Sequence, residues 1–274
     1  MTPTAKSVVL ELLIAAGGVP LPVRTAVAAC ELFDISQNNV RVALVRLGSA
    51  GLIEASGRGE YRLAEGAADL AREVRGWRSA EERIKSWEGG YVAVFSGALG
   101  RSDRVALRRR ARALRVLGFA EIERGLFLRP DNLTGGVEGV RSRLLALGLE
   151  RKATVFAAGC FVPEYEARIK KLWDGKALSA SYKRSRLELE RWLRRAAELE
   201  PDVAAREAFL LGGRAIRQIV YDPLLPPPFV DVGERRAFIE SMKNMDREGR
   251  RIWRRFFAFS EPAGAAQVES SVVH

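Results

Sequence analysis

The apolar positions of the first sixty residues recur at helical spacing, in three blocks separated by turn-forming residues. Val8, Val9, Leu12, Leu13 and Ala16 share one side of a helix over residues 4–16, which Gly17-Gly18 ends. Pro20 and Pro22 open a second helix over residues 23–32, with Val27, Cys30 and Leu32 as its candidate core. A third helix follows, with Val40, Leu44 and Leu47 on one face and Ala43 beside them. Either Asp34 or Ser36 can cap it by accepting a hydrogen bond from a free backbone N–H, and Gly51 supplies a left-handed stop. Residues 52–55 and 60–63 then read as two short strands joined by Ser-Gly-Arg-Gly.

Further along, residues 66–88 read as a charged helical connector, with Trp77 and Trp87 as packing anchors. From residue 90 the pattern changes. Residues 91–95 form a short apolar run suited to a buried central strand, and residues 103–117 a helix. Residues 119–122 and 126–129 make a hairpin turning at Arg124-Gly125, followed by a helix at 136–147 and a strand at 153–161. That β-α-β-β-α-β order is the ferredoxin-like split unit. The remainder is helical, over 164–173, 181–199, 203–220 and 234–257, broken once by the Pro-rich stretch from Asp222 to Phe229. The expected fold class is therefore α+β. It comprises an N-terminal winged helix-turn-helix (1–66), a helical connector (67–89) and a ferredoxin-like middle domain (90–174). A helical C-terminal domain for effector and dimer contacts (175–260) and a frayed tail (261–274) complete it.

The outer face of the third helix carries the candidate chemistry. Asn38, Arg41, Val42 and Val45 lie opposite the apolar face, flanked by Asn39 and Arg46. An ordinary surface helix offers Lys and Glu there; this one offers groups that pair with adenine, pair with guanine and meet a thymine methyl in the major groove. Ser36 and Gln37 open the same helix, Thr25 stands at the start of the second one where a phosphate can approach, and Arg58 sits at the hairpin tip. Together these ten residues form the candidate contact set for double-stranded DNA. The plain alternative is a helix–hairpin unit that packs against a neighbour and touches no nucleic acid.

Composition narrows the classes. The 274 residues are 47% hydrophobic, enough for two or three cores. No apolar run reaches the roughly 20 residues a membrane helix needs, and the first residues lack a signal-peptide pattern, so no membrane partner and a cytoplasmic location are expected. Two cysteines build neither a disulfide framework nor a four-ligand zinc site, and the single histidine is His274, which disfavours imidazole-based catalysis. A net charge of +11 suggests an anionic partner, yet residues 1–66 hold six Lys/Arg and six Asp/Glu. The excess lies downstream, in part on one side of the 103–117 helix: Arg101, Arg104, Arg108, Arg112 and Arg115. That stripe can track a DNA backbone or form a solvated outer face.

Three segments carry a family resemblance: ISQNNVRVALVRLGSAGLIEASGRGEYRLAEG at 35–66, LRVLGFAEIERGLFLRPDNL at 114–133 and YDPLLPPPF at 221–229. On these the chain resembles the PaaX family of bacterial transcriptional repressors. The resemblance implies a homodimer that represses aromatic-acid catabolic genes by binding an inverted-repeat operator, released by phenylacetyl-coenzyme A or a related acyl-coenzyme A thioester. Such a polyanion with an apolar end needs cations beside an apolar slot. Arg214, Arg217 and Tyr221 are the candidate lining, with Lys183 and Arg184 as phosphate partners. The middle domain is also similar to small CRISPR-associated nucleases of ferredoxin-like fold, which place a metal-holding Asp at the end of the first strand. Here Ser96 and Gly97 follow that strand. A scaffold is expected, with no catalytic residue, metal or cofactor.

Overall fold

The computed structural model describes residues 3–100 and 102–260; Arg101 and the tail at 261–274 lie outside them. Within them the protein is a mixed α+β chain with two small antiparallel sheets.

The first elements are α1 (Ala5–Ala15), β1 (Leu21–Pro22), α2 (Val23–Glu31), α3 (Gln37–Ser49), β2 (Ile53–Gly57), β3 (Glu60–Leu63) and α4 (Glu65–Arg75). Thr4 and Ser7 close a reciprocal capping box on α1: the Ser7 N–H donates to Thr4 Oγ1 at 3.2 Å and the Thr4 N–H to Ser7 Oγ at 2.9 Å. Val8, Val9 and Leu13 of α1, Ala29 and Cys30 of α2, and Val40, Leu44 and Leu47 of α3 are buried, so the three apolar stripes close on one core. Leu21-Pro22 corrects the expectation that Pro20 and Pro22 merely open a helix. These residues pair with Tyr61 and Glu60 as the third strand of the sheet, in the order β1-β3-β2. Proline is tolerated there because β1 is an edge.

The connector is not one helix. α4 stops at Arg75, two 3₁₀ turns follow at Gly76–Ser79 and Glu81–Arg83, and Ile84 bridges to Leu133. Trp77 is buried in the first turn, while the Trp87 indole donates to the Gly90 carbonyl at 2.6 Å.

The second sheet is built from β4 (Tyr91–Phe95), α5 (Arg104–Val116), β5 (Ala120–Glu123), β6 (Leu126–Pro130), α6 (Gly136–Ala146) and β7 (Thr154–Ala158), with strand order β5-β6-β4-β7. β4 pairs antiparallel with both β6 and β7, and four of its five residues are buried, as its unbroken apolar run demands. One cluster joins Tyr91, Ala93 and Leu128 to Ile169, ringed by Trp87, Trp173 and Phe229 in edge-to-face contact.

Four helices complete the chain: α7 (Pro163–Lys170), α8 (Gly175–Arg195), α9 (Pro201–Val220) and α10 (Val232–Ser260). α8 starts earlier than its sequence pattern suggests because Asp174 caps it, accepting from the Ala177 N–H at 2.9 Å. A buried polar knot fixes the Pro-rich stretch. Arg129 donates to the Leu117 carbonyl, to Pro130 O at 3.1 Å and to Asn132 Oδ1 at 3.0 Å, and Asn132 donates to Leu224 O at 2.7 Å. Arg235, also buried, donates to Leu225 O at 2.6 Å and to Glu81 Oε1 at 2.8 Å. Buried cations persist only with acceptors of this kind around them.

The described residues fall into two compact units. One gathers the chain up to Gly76 with Glu188–Ile216 and the stretch from Ser241; the other gathers Trp77–Leu187 with Arg217–Glu240. Each of α8, α9 and α10 contributes residues to both.

Candidate nucleic-acid interface

The geometry of α3 follows from its two faces. Its inner side is closed by Val40, Ala43, Leu44 and Leu47, which fixes the rotation of the helix about its axis. Asp34 takes a left-handed turn conformation (φ 57°), and Ser36 does the capping, its Oγ accepting from the Asn39 N–H at 3.4 Å. Everything opposite faces solvent: Gln37, Asn38, Asn39, Arg41, Val42, Val45 and Arg46 are all exposed. Val45 is 69% and Val42 41% accessible, a notable exposure for branched apolar side chains that the core does not use. Arg41 and Arg46 make no ion pair among the described residues. The surface therefore presents unengaged amides, guanidiniums and small apolar groups on a rigid support.

β2 and β3 form a hairpin with a two-residue turn at Arg58-Gly59; Gly59 adopts φ +75°, which leaves Arg58 exposed at the tip. The Glu54–Arg62 pair across the strands (2.7 Å) is solvent-exposed and worth at most about 1 kcal/mol. Thr25 lies in the first turn of α2, half-buried, beside the exposed Arg24. Cys30, on the same helix, faces the core. Burial, with a lesser contribution from Glu31, pushes its thiol up to about 11, so it carries no thiolate at neutral pH.

The five effector candidates lie on α8, on α9 and directly after it. Arg214 pairs with Glu188 at 2.5 Å, the Arg115 guanidinium stacks over the Tyr221 ring at 4.4 Å, and Arg217 is engaged as well. Lys183 and Arg184 are exposed on α8. Arg214 belongs to one compact unit and the other four to the other. Sequence reasoning did not single out a cleft of about 340 Å³ between α8 and α9, whose lining includes Trp192, Leu210 and Leu211 beside Arg191, Arg195 and Arg214. Its signal was the apolar side of α8 at Trp192 facing the Leu210-Leu211 pair. The Trp192 indole donates to Glu207 Oε2 at 2.8 Å and Arg195 reaches the same oxygen at 2.6 Å.

Among the described residues, no three His, Cys, Asp or Glu side chains gather where a metal ion could be held, and no helix is long and apolar enough to cross a membrane.

Residues 4–67 match the family described as PaaX-like protein, and residues 173–255 match the PaaX-like protein C-terminal domain. Among solved structures the chain is similar to an uncharacterized protein, Rv0674, from Mycobacterium tuberculosis. The two share 23% identity with a TM-score of 0.53, over 91% of this chain and 98% of that one. At that identity the likeness concerns the fold alone. No curated protein matches. With family matches over the α1–β3 region and over the C-terminal helices, the chain belongs to the PaaX-like family of transcription regulators.

Proposed function

We propose that the protein is a homodimeric repressor that binds an inverted-repeat operator through α3 and releases it on binding an aryl-acyl-coenzyme A. In this reading residues 1–66 are a winged helix-turn-helix in which α3 is the recognition helix and the β2–β3 hairpin the wing. The middle sheet, with strand order β5-β6-β4-β7, is a ferredoxin-like scaffold. The observation that carries the proposal is that every residue of the Asn-Arg-Val face of α3 is exposed, while its other face is locked in the core.

The division of labour follows from side-chain chemistry. Asn38, Asn39 and Arg41 read base edges, with Val42 and Val45 against thymine methyls. Arg46, Thr25 and Arg58 hold phosphates, and Ser36 and Gln37 bring the backbone N–H groups of the helix start to the strand. Two such helices, one per protomer, meet half-sites about one helical turn apart. The family is one of transcription regulators, which supports an operator as the target. Fluorescence anisotropy with the regulated promoter tests the base-reading role. Arg41→Ala is expected to cost about 1–3 kcal/mol on operator and much less on scrambled duplex. Equal losses on both would reduce Arg41 to a source of charge.

For the effector, the thioester is drawn to Lys183, Arg184, Arg214, Arg217 and Tyr221. A ligand that empties the operator must favour the DNA-free dimer by several kcal/mol, roughly 5.5 for a full reversal of populations. Calorimetry with phenylacetyl-coenzyme A is expected to show saturable binding that Arg217→Ala weakens. No heat from any aromatic acyl-coenzyme A would remove the effector and leave the repressor.

A further inference from the structure

We propose that the outer face of α5 is a second DNA contact, one that grips the phosphate backbone without reading sequence. It rests on the reading above only in taking duplex DNA as the polyanion.

The helix runs RVALRRRARALRV and contains no acidic residue. At 100° per residue, Arg104, Arg108, Arg112 and Arg115 fall within an arc of about 80°. Arg104, Arg108 and Arg115 are exposed and Arg112 is half-buried. The rotation of the helix is fixed from the other side. Ala113 and Leu114 are buried there, and Arg110, also buried, donates to Glu150 Oε1 at 2.5 Å and to the Gly100 carbonyl at 3.2 Å.

On the C-terminal helices several arginines are neutralised by neighbours: Arg250 by Asp246, Arg251 by Glu248, Arg195 by Glu207, Arg214 by Glu188. On α5 the spacing does the reverse. Arg104/Arg108 and Arg108/Arg112 are like charges four residues apart, an arrangement that destabilises a helix. Arg104 also stands in the first turn, where the helix dipole disfavours a cation, and only the Asp103 cap offsets it, its carboxylate held low by the N–H groups of Ala106 and Val105. Arg115 stacks over the Tyr221 ring at 4.4 Å, but the spacing of Arg104, Arg108 and Arg112 works against the helix that carries them; a polyanion outside would offset it.

The chemistry selects the polyanion. Guanidiniums are the side chains that hold phosphates through two donors at once. Successive arginines rise by about 4.5–6 Å along the axis, a line of charge that can follow a nucleic-acid strand. A lipid surface fits less well, because the apolar side of α5 is buried and the outer side offers only Val105 and Ala111 to insert. Arg151 and Lys152, exposed beside the Glu150 that Arg110 holds, extend the basic surface.

The test measures the salt dependence of duplex binding by the full chain. Each phosphate contact contributes about 0.9 to the slope of log K against log salt, so Arg104→Gln with Arg108→Gln is expected to make the slope shallower by about 2. The change is expected on operator and scrambled duplex alike, with the preference for operator unchanged. Lysine at both positions keeps the slope, as does the charge-matched pair Arg206→Gln with Arg254→Gln, both exposed in other helices. Far-UV melting of the Gln variant is expected to fall no lower than that of the parent chain, since the substitution relieves repulsion. An unchanged slope in the Gln variant overturns the proposal. So does a loss seen on anionic phospholipid vesicles, or on an acidic peptide, but not on DNA. If Arg41→Ala leaves operator preference intact while the α5 slope still falls, the α3 reading fails and this one stands. If the parent chain binds no duplex at all, both fail.

Discussion

Arg129 and Asn132 show what a sequence hides at the scale of one residue. Both come from the Arg-Pro-Asp-Asn-Leu run and both are buried, holding carbonyls from residues more than ninety positions away. Burial pushes the Arg129 guanidinium down to about 9, still above neutrality, and four acceptors surround the charge. Asn132→Ala removes one of them and strips the Leu224 carbonyl of its donor. It is expected to lower stability by about 1–3 kcal/mol, read as a shift of the urea midpoint at constant slope. A second titratable group in this region gives a pH signature. Burial raises the Asp222 carboxyl above its ordinary value, the largest of several influences on it. A raised carboxyl pKa means the fold holds this proton better than the unfolded chain. Its contribution is thus full below the unfolded value of about 3.9 and is lost as pH rises through the folded one. Asp222→Asn is expected to flatten that loss in melting temperatures taken between pH 4 and 7. The thiols separate as cleanly: Cys30 is buried and Cys160 exposed. A disulfide reagent at pH 8 is expected to label one thiol per native chain and two after denaturation; two native thiols would place Cys30 outside the core.

Secondary elements were legible where one periodicity ran unbroken. The inner and outer faces of α3 can be read directly, because Val40, Leu44 and Leu47 keep helical spacing and their opposites share no apolar logic with them. β1 could not be read, because two residues containing a proline carry no period; their pairing with Tyr61 and Glu60 depends on a hairpin forty residues away. The connector misled for a related reason. Its charged residues suit a helix, but the burial of Trp77 and the Ile84–Leu133 bridge require the chain to turn. Gly118 marks where elements touch. It ends α5 at φ +71°, and a Cβ there would overlap Pro223. Gly118→Ala is therefore expected to destabilise by about 1–3 kcal/mol through overpacking and a strained backbone, measurable by denaturant titration. An unaffected midpoint would mean that the Pro-rich stretch yields.

For the whole molecule, the fold class and the family were legible, whereas the grouping into compact units was not. α8, α9 and α10 each read as a continuous amphipathic run, and no sequence period announces that their residues divide between two units at Glu188, Arg217 and Ser241. Arg214 and Tyr221, seven residues apart in sequence, likewise fall in different units. As a scaffold, the middle sheet is expected to leave RNA and DNA intact in Mg²⁺ or Mn²⁺, and durable cleavage would demand a different account of it. The repressor reading itself is tested most directly by selecting binding sites from randomised duplex DNA with the parent chain and with Arg41→Ala in parallel. It predicts that the parent enriches an inverted repeat and that the variant loses preference at one base pair in each half-site. Enrichment of no sequence, or of the same sequence with equal stringency by both proteins, would contradict it.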